Sequence, residues 1–156
     1  MSLKTVENHL KKFNLTKNII ILDKSSATVP LAAKALNCRE EEIAKTMSFL
    51  ANDDYIVIVM PGNRKIDNKK YKEAFKTKAK MVPTQDLEEK IGHVMGGVCP
   101  FGLKKGVKVY LDISLKNYQE VYPAAGEANA AIKLTLKELE ETTNFAAWID
   151  VTKNID

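Results

Sequence analysis

Residues Lys45 to Ala51 alternate with period two, and Tyr55 to Met60 form the most continuous β signal in the chain. Only Asn52-Asp53-Asp54 separates them. Two such runs around a short polar turn predict a hairpin of central strands, and every other element must fit around it. On the first strand Lys45, Met47 and Phe49 share one face, while Thr46, Ser48 and Leu50 share the other.

Before the hairpin, Leu3, Val6, Leu10 and Phe13 recur at helical spacing with lysines outward, and Ile19 to Leu22 reads as a strand. Ser25, Ser26 and Thr28 offer N-caps to a helix that holds Pro30 in its first turn and runs through Leu36. Glu40 to Ala44 adds a further helical turn. After the hairpin, Pro61-Gly62-Asn63 stops the strand. Asp67 or Asn68 caps a helix with Tyr71, Ala74 and Phe75 inward. Ala79 to Val82 reads as a strand, Thr84 to Ile91 as a capped helix with Glu88 following Thr84, and Val107 to Leu111 as a strand. Asp112 to Tyr118 forms a turn or short helix. Val121-Tyr122-Pro123 ends a strand that enters a loop of small residues. Ala131 to Leu134 is the last strand, and Thr135 caps a helix through Glu141. Hairpins mixed with crossovers predict one α/β domain over residues 1–156, its mixed, partly antiparallel and barrel-like sheet flanked by helices.

Composition excludes several classes of function. The chain has 156 residues, 45% hydrophobic and 28% charged, which suits an ordinary globular domain. Its apolar runs are too short to span a bilayer, and Met1-Ser2-Leu3-Lys4 opens no signal peptide. Two cysteines point to a reducing compartment, the cytoplasm. His9, Cys38, His93 and Cys99 are too scattered to form a ligand-spaced metal site. The net charge of +4 is mild, but Arg64 to Lys80 carries eight basic residues against Asp67 and Glu73, a local +6. That segment is either a solvated face or a surface for an anionic partner. Tyr71 and Phe75 within it suit a nucleic-acid surface or the core equally.

Gly96-Gly97-Val98-Cys99-Pro100-Phe101-Gly102 cannot be a helix or a strand interior. It is a tight connection, or a loop that presents backbone N–H groups to one oxygen. It is not a phosphate-binding P-loop, because Leu103 stands where that motif needs lysine. Lys45, in line with Met47 and Phe49, either snorkels to solvent or aims its ammonium into a cavity. Cys99 invites a thiol-nucleophile reading but lacks an evident base, so an inert buried cysteine is the competing reading. His93 reads as a residue at a helix C-terminus.

Ile43-Ala44-Lys45-Thr46, Val59 to Lys65, the glycine loop and Val121-Tyr122-Pro123-Ala124-Ala125-Gly126 occur in the order that marks the YbaK/EbsC family. The chain resembles that family from about Ser26 to Leu139. Its members are free-standing relatives of the editing domain inserted in bacterial prolyl-tRNA synthetases. The resemblance implies hydrolysis of the ester between a wrong amino acid and the 3′ end of a tRNA, with tRNA-Pro the expected tRNA. It places the catalytic lysine on Lys45 and the Gly-x-x-x-Pro loop on Gly96, Gly97 and Pro100. Substrate contacts are expected from Thr28, Thr46, Val98, Cys99, Ala124, Gly126 and Asn129. The tRNA backbone is expected on Arg64, Lys65, Lys69, Lys70 and Lys76. Mischarged tRNA is the partner implied, with prolyl-tRNA synthetase as a companion, and no cofactor, metal or membrane. Members acting on cysteinyl-tRNA carry a serine and an aspartate where this chain has Ala124 and Ala131.

An aminoacyl ester is already activated, so its hydrolysis needs a placed water and a stabilised oxyanion. Alanines at 124 and 131 favour a small apolar or hydroxyl-bearing amino acid such as alanine, serine or threonine, with cysteine next. A non-catalytic tRNA-binding module is the alternative reading.

Overall fold

The computed structural model describes residues 2–155; Met1 and Asp156, the ends of the expected domain span, lie outside the described residues. The expected hairpin is present. Strands β2 (Ile43–Ala51) and β3 (Asp54–Pro61) pair antiparallel along their length, and Asn52 turns the corner at φ 57°, a left-handed conformation that asparagine tolerates.

These two strands are central to a curled six-stranded mixed sheet of order β8-β6-β2-β3-β5-β9. Its other members are β5 (Lys108–Asp112), β6 (Glu120–Pro123), β8 (Leu134–Thr135) and β9 (Ala147–Ile149). β6 runs parallel to β2, β5 to β3, and β9 to β5. Two small ribbons complete the strands: β1 (Ile19–Ile21) with β7 (Ala130–Ile132), and β4 (Arg64–Ile66) with β10 (Thr152–Asn154).

Alternation along β3 divides the interior in two. Val57 and Val59 face a large core that includes Leu111, Val121 and Ile132 and is covered by Val6 and Leu10 of α1 (Ser2–Lys11). Ile56, Ile58 and Met60 face a smaller core with Phe49, Val151 and Tyr71 of α3 (Asn68–Phe75). Thr28 caps α2 (Val29–Leu36) by accepting from Leu31 N–H, and Asp67 caps α3 by accepting from the N–H groups of Lys69 and Lys70. Thr135 caps α5 (Leu136–Thr143) through a reciprocal box with Glu138.

Several expectations are corrected. Glu40–Glu42 is a single 3₁₀ turn, and Ile43 and Ala44 already belong to β2, because their ladder to β3 and β6 outweighs helical continuation. Ala79 to Val82 forms only one bridge, Phe49 to Met81, instead of a strand. Thr84–Asp86 is a 3₁₀ turn before α4 (Leu87–Lys90), and neither turn has a side-chain cap, so Thr84 and Glu88 form no capping box. Phe13 lies beyond α1 and is exposed, and Ala74 faces solvent on α3. Lys133 splits the supposed last strand, and β4, β9 and β10 were not foreseen.

Candidate functional site

β2 has β3 along one side, but on the other it has partners only toward its two ends. β6 pairs it at Ile43 and Ala44. Farther on, Val82 N–H donates to Ser48 O at 3.0 Å and Leu50 N–H donates to Lys80 O at 2.9 Å. Strand alternation aims the Thr46 N–H and C=O at this same edge, between the two partners. A cleft of about 260 Å³ follows the gap, with the whole Ile43–Ser48 edge in its lining. The start of α2, Met81-Val82, Met95-Gly96 with Val98, and Tyr122 to Ala124 with Ala131 complete the walls.

Among the described residues, Lys45 is the one charged group that lines this cleft; no aspartate, glutamate, histidine or cysteine does. Lys45 lies on the Met47 and Phe49 face, as the alternation requires, and its Nζ donates to the carbonyl of Arg64 at 2.5 Å. Burial pushes its ammonium below the ordinary pKa of 10.5. It is thus a partly desolvated donor fixed at one oxygen, and it has three N–H groups to give.

The glycine loop closes the far wall. Gly96 has φ +89°, and a Cβ there would come within 3.0 Å of Ala27 Cβ. At Gly97 a Cβ would sit 2.4 Å from the Gly126 carbonyl, so the two backbones meet without space for a side chain. Gly97 N–H is spent on Val94 O at 3.0 Å, and Gly97 O accepts from Gly126 N–H at 3.1 Å. The amides left to serve a ligand are those of Gly96 and Val98, the loop residues in the lining.

The structure therefore brings Lys45, Thr46, Thr28, Gly96, Val98 and Ala124 to one cleft. Gly97, Cys99, Pro100, Gly126 and Asn129 stand behind its walls. Asn129 points elsewhere, its Nδ2 donating to Leu22 O at 3.4 Å. Thr28 Oγ1 is engaged in its capping bond. Ala124 and Ala131 face each other across an isolated antiparallel bridge, so the wall they share carries no side-chain polar group.

Cys99 does have a histidine beside it, which corrects the expectation that no base is near. His93 Nε2 lies 3.4 Å from Cys99 Sγ, and both side chains are fully buried. The pair is nonetheless inert. His93 Nε2 is 2.6 Å from Phe101 O, a carbonyl that can only accept, so Nε2 carries the proton and cannot take the thiol's. Nδ1 pairs with the Ser2 hydroxyl. Burial lowers the His93 pKa and raises the Cys99 thiol to about 12.

In the basic segment, Tyr71 is fully buried, its ring packed at a tilt between Phe49 and Phe75 with centroids 5.3 and 4.7 Å away, which decides for the core reading. Arg64 spends its guanidinium on Thr152 and Asn154 of β10, and Lys70 pairs with Asp150 at 3.0 Å. Lys65, Lys69 and Lys76 are exposed. The segment starts at the carbonyl that holds Lys45 and ends at Lys80, beside Met81 on the cleft rim.

Sequence reasoning passed over Ser48, Met81, Met95 and Tyr122. Ser48 was visible as the second hydroxyl on the Thr46 face; the methionines had no signal, since their place on the rim depends on tertiary packing. Among the described residues no cluster of three His, Cys, Asp or Glu could hold a metal, and no helix is long and apolar enough to cross a membrane.

Comparison with known proteins gives this cleft its family. Residues 23–142 match the aminoacyl-tRNA editing domain. Protein YwhH of Bacillus subtilis, itself uncharacterized, is 45% identical over 155 residues, covering 99% of each chain. The Enterococcus faecalis protein named "Putative Cys-tRNA(Pro)/Cys-tRNA(Cys) deacylase EbsC" is 32% identical over 114 residues, 72% of this chain and 70% of that one. A crystal structure described as "a putative trans-editing enzyme for prolyl tRNA synthetase" superposes with a TM-score of 0.87 at 25% identity, covering 98% of both chains. Every residue that lines the cleft lies within the matched span, and the chain belongs to the aminoacyl-tRNA editing domain family, within the YbaK/EbsC group that its motifs resemble.

Proposed function

We propose that the protein is a trans-editing aminoacyl-tRNA deacylase that hydrolyses the ester of a mischarged tRNA, tRNA-Pro in particular, carrying a small amino acid. One observation carries the reading: a lone lysine and the glycine loop meet at a cleft lined by no carboxylate, histidine or thiol. No thiol nucleophile and no carboxylate or imidazole base is at hand there, whereas an activated ester needs neither.

In this reaction water adds to the ester carbonyl carbon, and the amides of Gly96 and Val98 hold the developing oxyanion. Lys45 anchors the aminoacylated end by donating to a phosphate or carbonyl oxygen. The bond from the carbonyl carbon to the ribose oxygen then breaks, and the water's proton passes to that oxygen. Free amino acid and uncharged tRNA leave. The basic face that begins at Arg64 supports a polyanionic substrate, with exposed Lys65, Lys69 and Lys76 as the phosphate contacts. Prolyl-tRNA synthetase is the companion whose errors such an enzyme removes, in the cytoplasm.

The test is deacylation of a panel of alanyl-, seryl-, threonyl-, cysteinyl- and prolyl-tRNA-Pro. The expected result is turnover of a small noncognate ester with prolyl-tRNA spared. No turnover of any ester, by a protein that still binds tRNA, would leave a binding module in its place.

A further inference from the structure

Thr46 and Ser48 stand two residues apart on one face of β2, and both line the cleft. Their hydroxyl oxygens are both buried, and among the described residues neither has a hydrogen-bond partner. Ser48 as a whole is only 5% exposed. Unmade hydrogen bonds of this kind are costly, and folded proteins rarely leave two of them side by side. Nothing in the fold uses them: the Ser48 carbonyl, not its hydroxyl, holds the Lys80–Val82 segment. Across the cleft Ala124 and Ala131 offer only methyl groups. The floor is therefore polar and uncharged at these two residues.

We infer that Thr46 and Ser48 form a hydroxyl-reading floor that selects aminoacyl groups with a hydroxyl side chain, seryl or threonyl, over apolar groups of the same size. A turn about χ1 to another staggered position brings either oxygen toward a ligand on the floor. A hydroxyl can donate and accept, so the pair satisfies both functions of a substrate hydroxyl at once. An ethyl group in the same place leaves both oxygens unpaired, and rejection of an analogue that lacks a hydrogen-bonding group is the stronger form of discrimination. An ammonium side chain meets no countercharge in the lining of this cleft. The inference rests on the deacylase reading for its substrate, but the selectivity is a property of binding.

Seryl- and 2-aminobutyryl-tRNA differ by a hydroxyl against a methyl group and are the matched probes. Wild type is expected to favour the seryl ester in kcat/KM by about tenfold or more, and Ser48→Ala to bring that ratio within about threefold. Because the lost hydroxyl has no partner, Ser48→Ala should fold with an undiminished Tm, which separates recognition from structural damage. A wild type without the preference, or a variant that keeps it or loses both substrates equally, overturns the inference. Calorimetry with adenosine bearing serine or 2-aminobutyrate through a stable 3′-amide reads the same ratio without turnover. Serine selectivity in binding that Ser48→Ala abolishes, with no hydrolysis of any ester, would overturn the deacylase reading alone. Equal binding of the two amides by wild type overturns the hydroxyl floor.

Discussion

Lys45 and Arg64 are joined by a bond that uses the lysine's charge and the arginine's backbone: Nζ donates to the Arg64 carbonyl at 2.5 Å. The arginine side chain faces the other way, its Nε donating to Thr152 Oγ1 at 2.9 Å. Thr152 Oγ1 donates in turn to Asp112 Oδ2 at 2.9 Å, inside the core. The cation in the cleft is thus held by a strand that is itself anchored to a buried carboxylate.

Lys45→Met should lower deacylation by about a hundredfold or more, the scale on which one preorganised electrostatic contact acts. Its effect on stability runs the opposite way. Burial lowers the Lys45 pKa, so the unfolded chain binds that proton more tightly, and stability rises with pH between the lowered value and 10.5. Lys45→Met should therefore match or exceed wild type in Tm at pH 7, with the difference closing toward pH 10. Activity of wild type, corrected for spontaneous ester hydrolysis, should fall along an alkaline limb centred below 10.5. A limb that persists in Lys45→Arg would assign it to another group.

Cys99→Ser should keep deacylation within about threefold of wild type. The serine hydroxyl can donate to Phe101 O as the thiol does, and the neighbouring imidazole already commits its Nε2 proton there. A thiol reagent should label the half-exposed Cys38 first in the native protein. Inactivation that tracks labelling of Cys99 would restore a thiol mechanism.

The hairpin, its central place in the sheet and the facing of Lys45 against Thr46 were legible in the sequence, because period two and a short polar turn are local signals. The cap at Thr135 was legible for the same reason, whereas the choice of Thr28 over Ser25 and Ser26, and of Asp67 over Asn68, was made by the structure. The short strands β4, β9 and β10 were not: three residues carry too little pattern, and they are strands only because distant partners pair with them. Within the site, sequence order brought out Lys45 and the glycine loop. It could not show that Gly97 spends its amide on Val94, that Asn129 turns to Leu22, or that Cys99 lies behind the wall. Each of those is decided by which way a backbone or side-chain group points.

Replacing Lys65, Lys69 and Lys76 together by glutamine should raise KM for charged tRNA and leave kcat near wild type. If each contacts a phosphate, the slope of log KM against log salt should fall by about 2 to 3. Lys70 is left in place because it is paired with Asp150 and also donates to Thr152 O at 3.0 Å. An unchanged slope would make the patch a solvated face.

Tyr71→Phe should stabilise the fold. The ring is fully buried against Phe49 and Phe75, yet its hydroxyl has no partner among the described residues, and burial raises its pKa to about 12. Removing an unpaired buried hydroxyl while keeping the ring should add about 1 kcal/mol, roughly 2–4 °C in Tm for a chain this size. A lower Tm would mean that the hydroxyl is hydrogen-bonded after all.

Asp112→Asn should weaken the fold and slow the reaction from a distance. The carboxylate is fully buried and accepts from Val151 N–H, Ser114 N–H, the Ser114 hydroxyl and Thr152 Oγ1. An amide can accept at only one of its two ends, so its NH₂ would face donors wherever it is turned. Leaving such a buried group mismatched should cost about 2–3 kcal/mol, seen as a lower midpoint in urea with the slope unchanged. The same substitution loosens Thr152, then Arg64, and so the carbonyl that fixes Lys45. At a temperature where the variant is fully folded, kcat should fall while KM for tRNA stays near wild type, because the exposed lysines are untouched. A variant that is less stable but has wild-type kcat would show that Lys45 does not need this anchor.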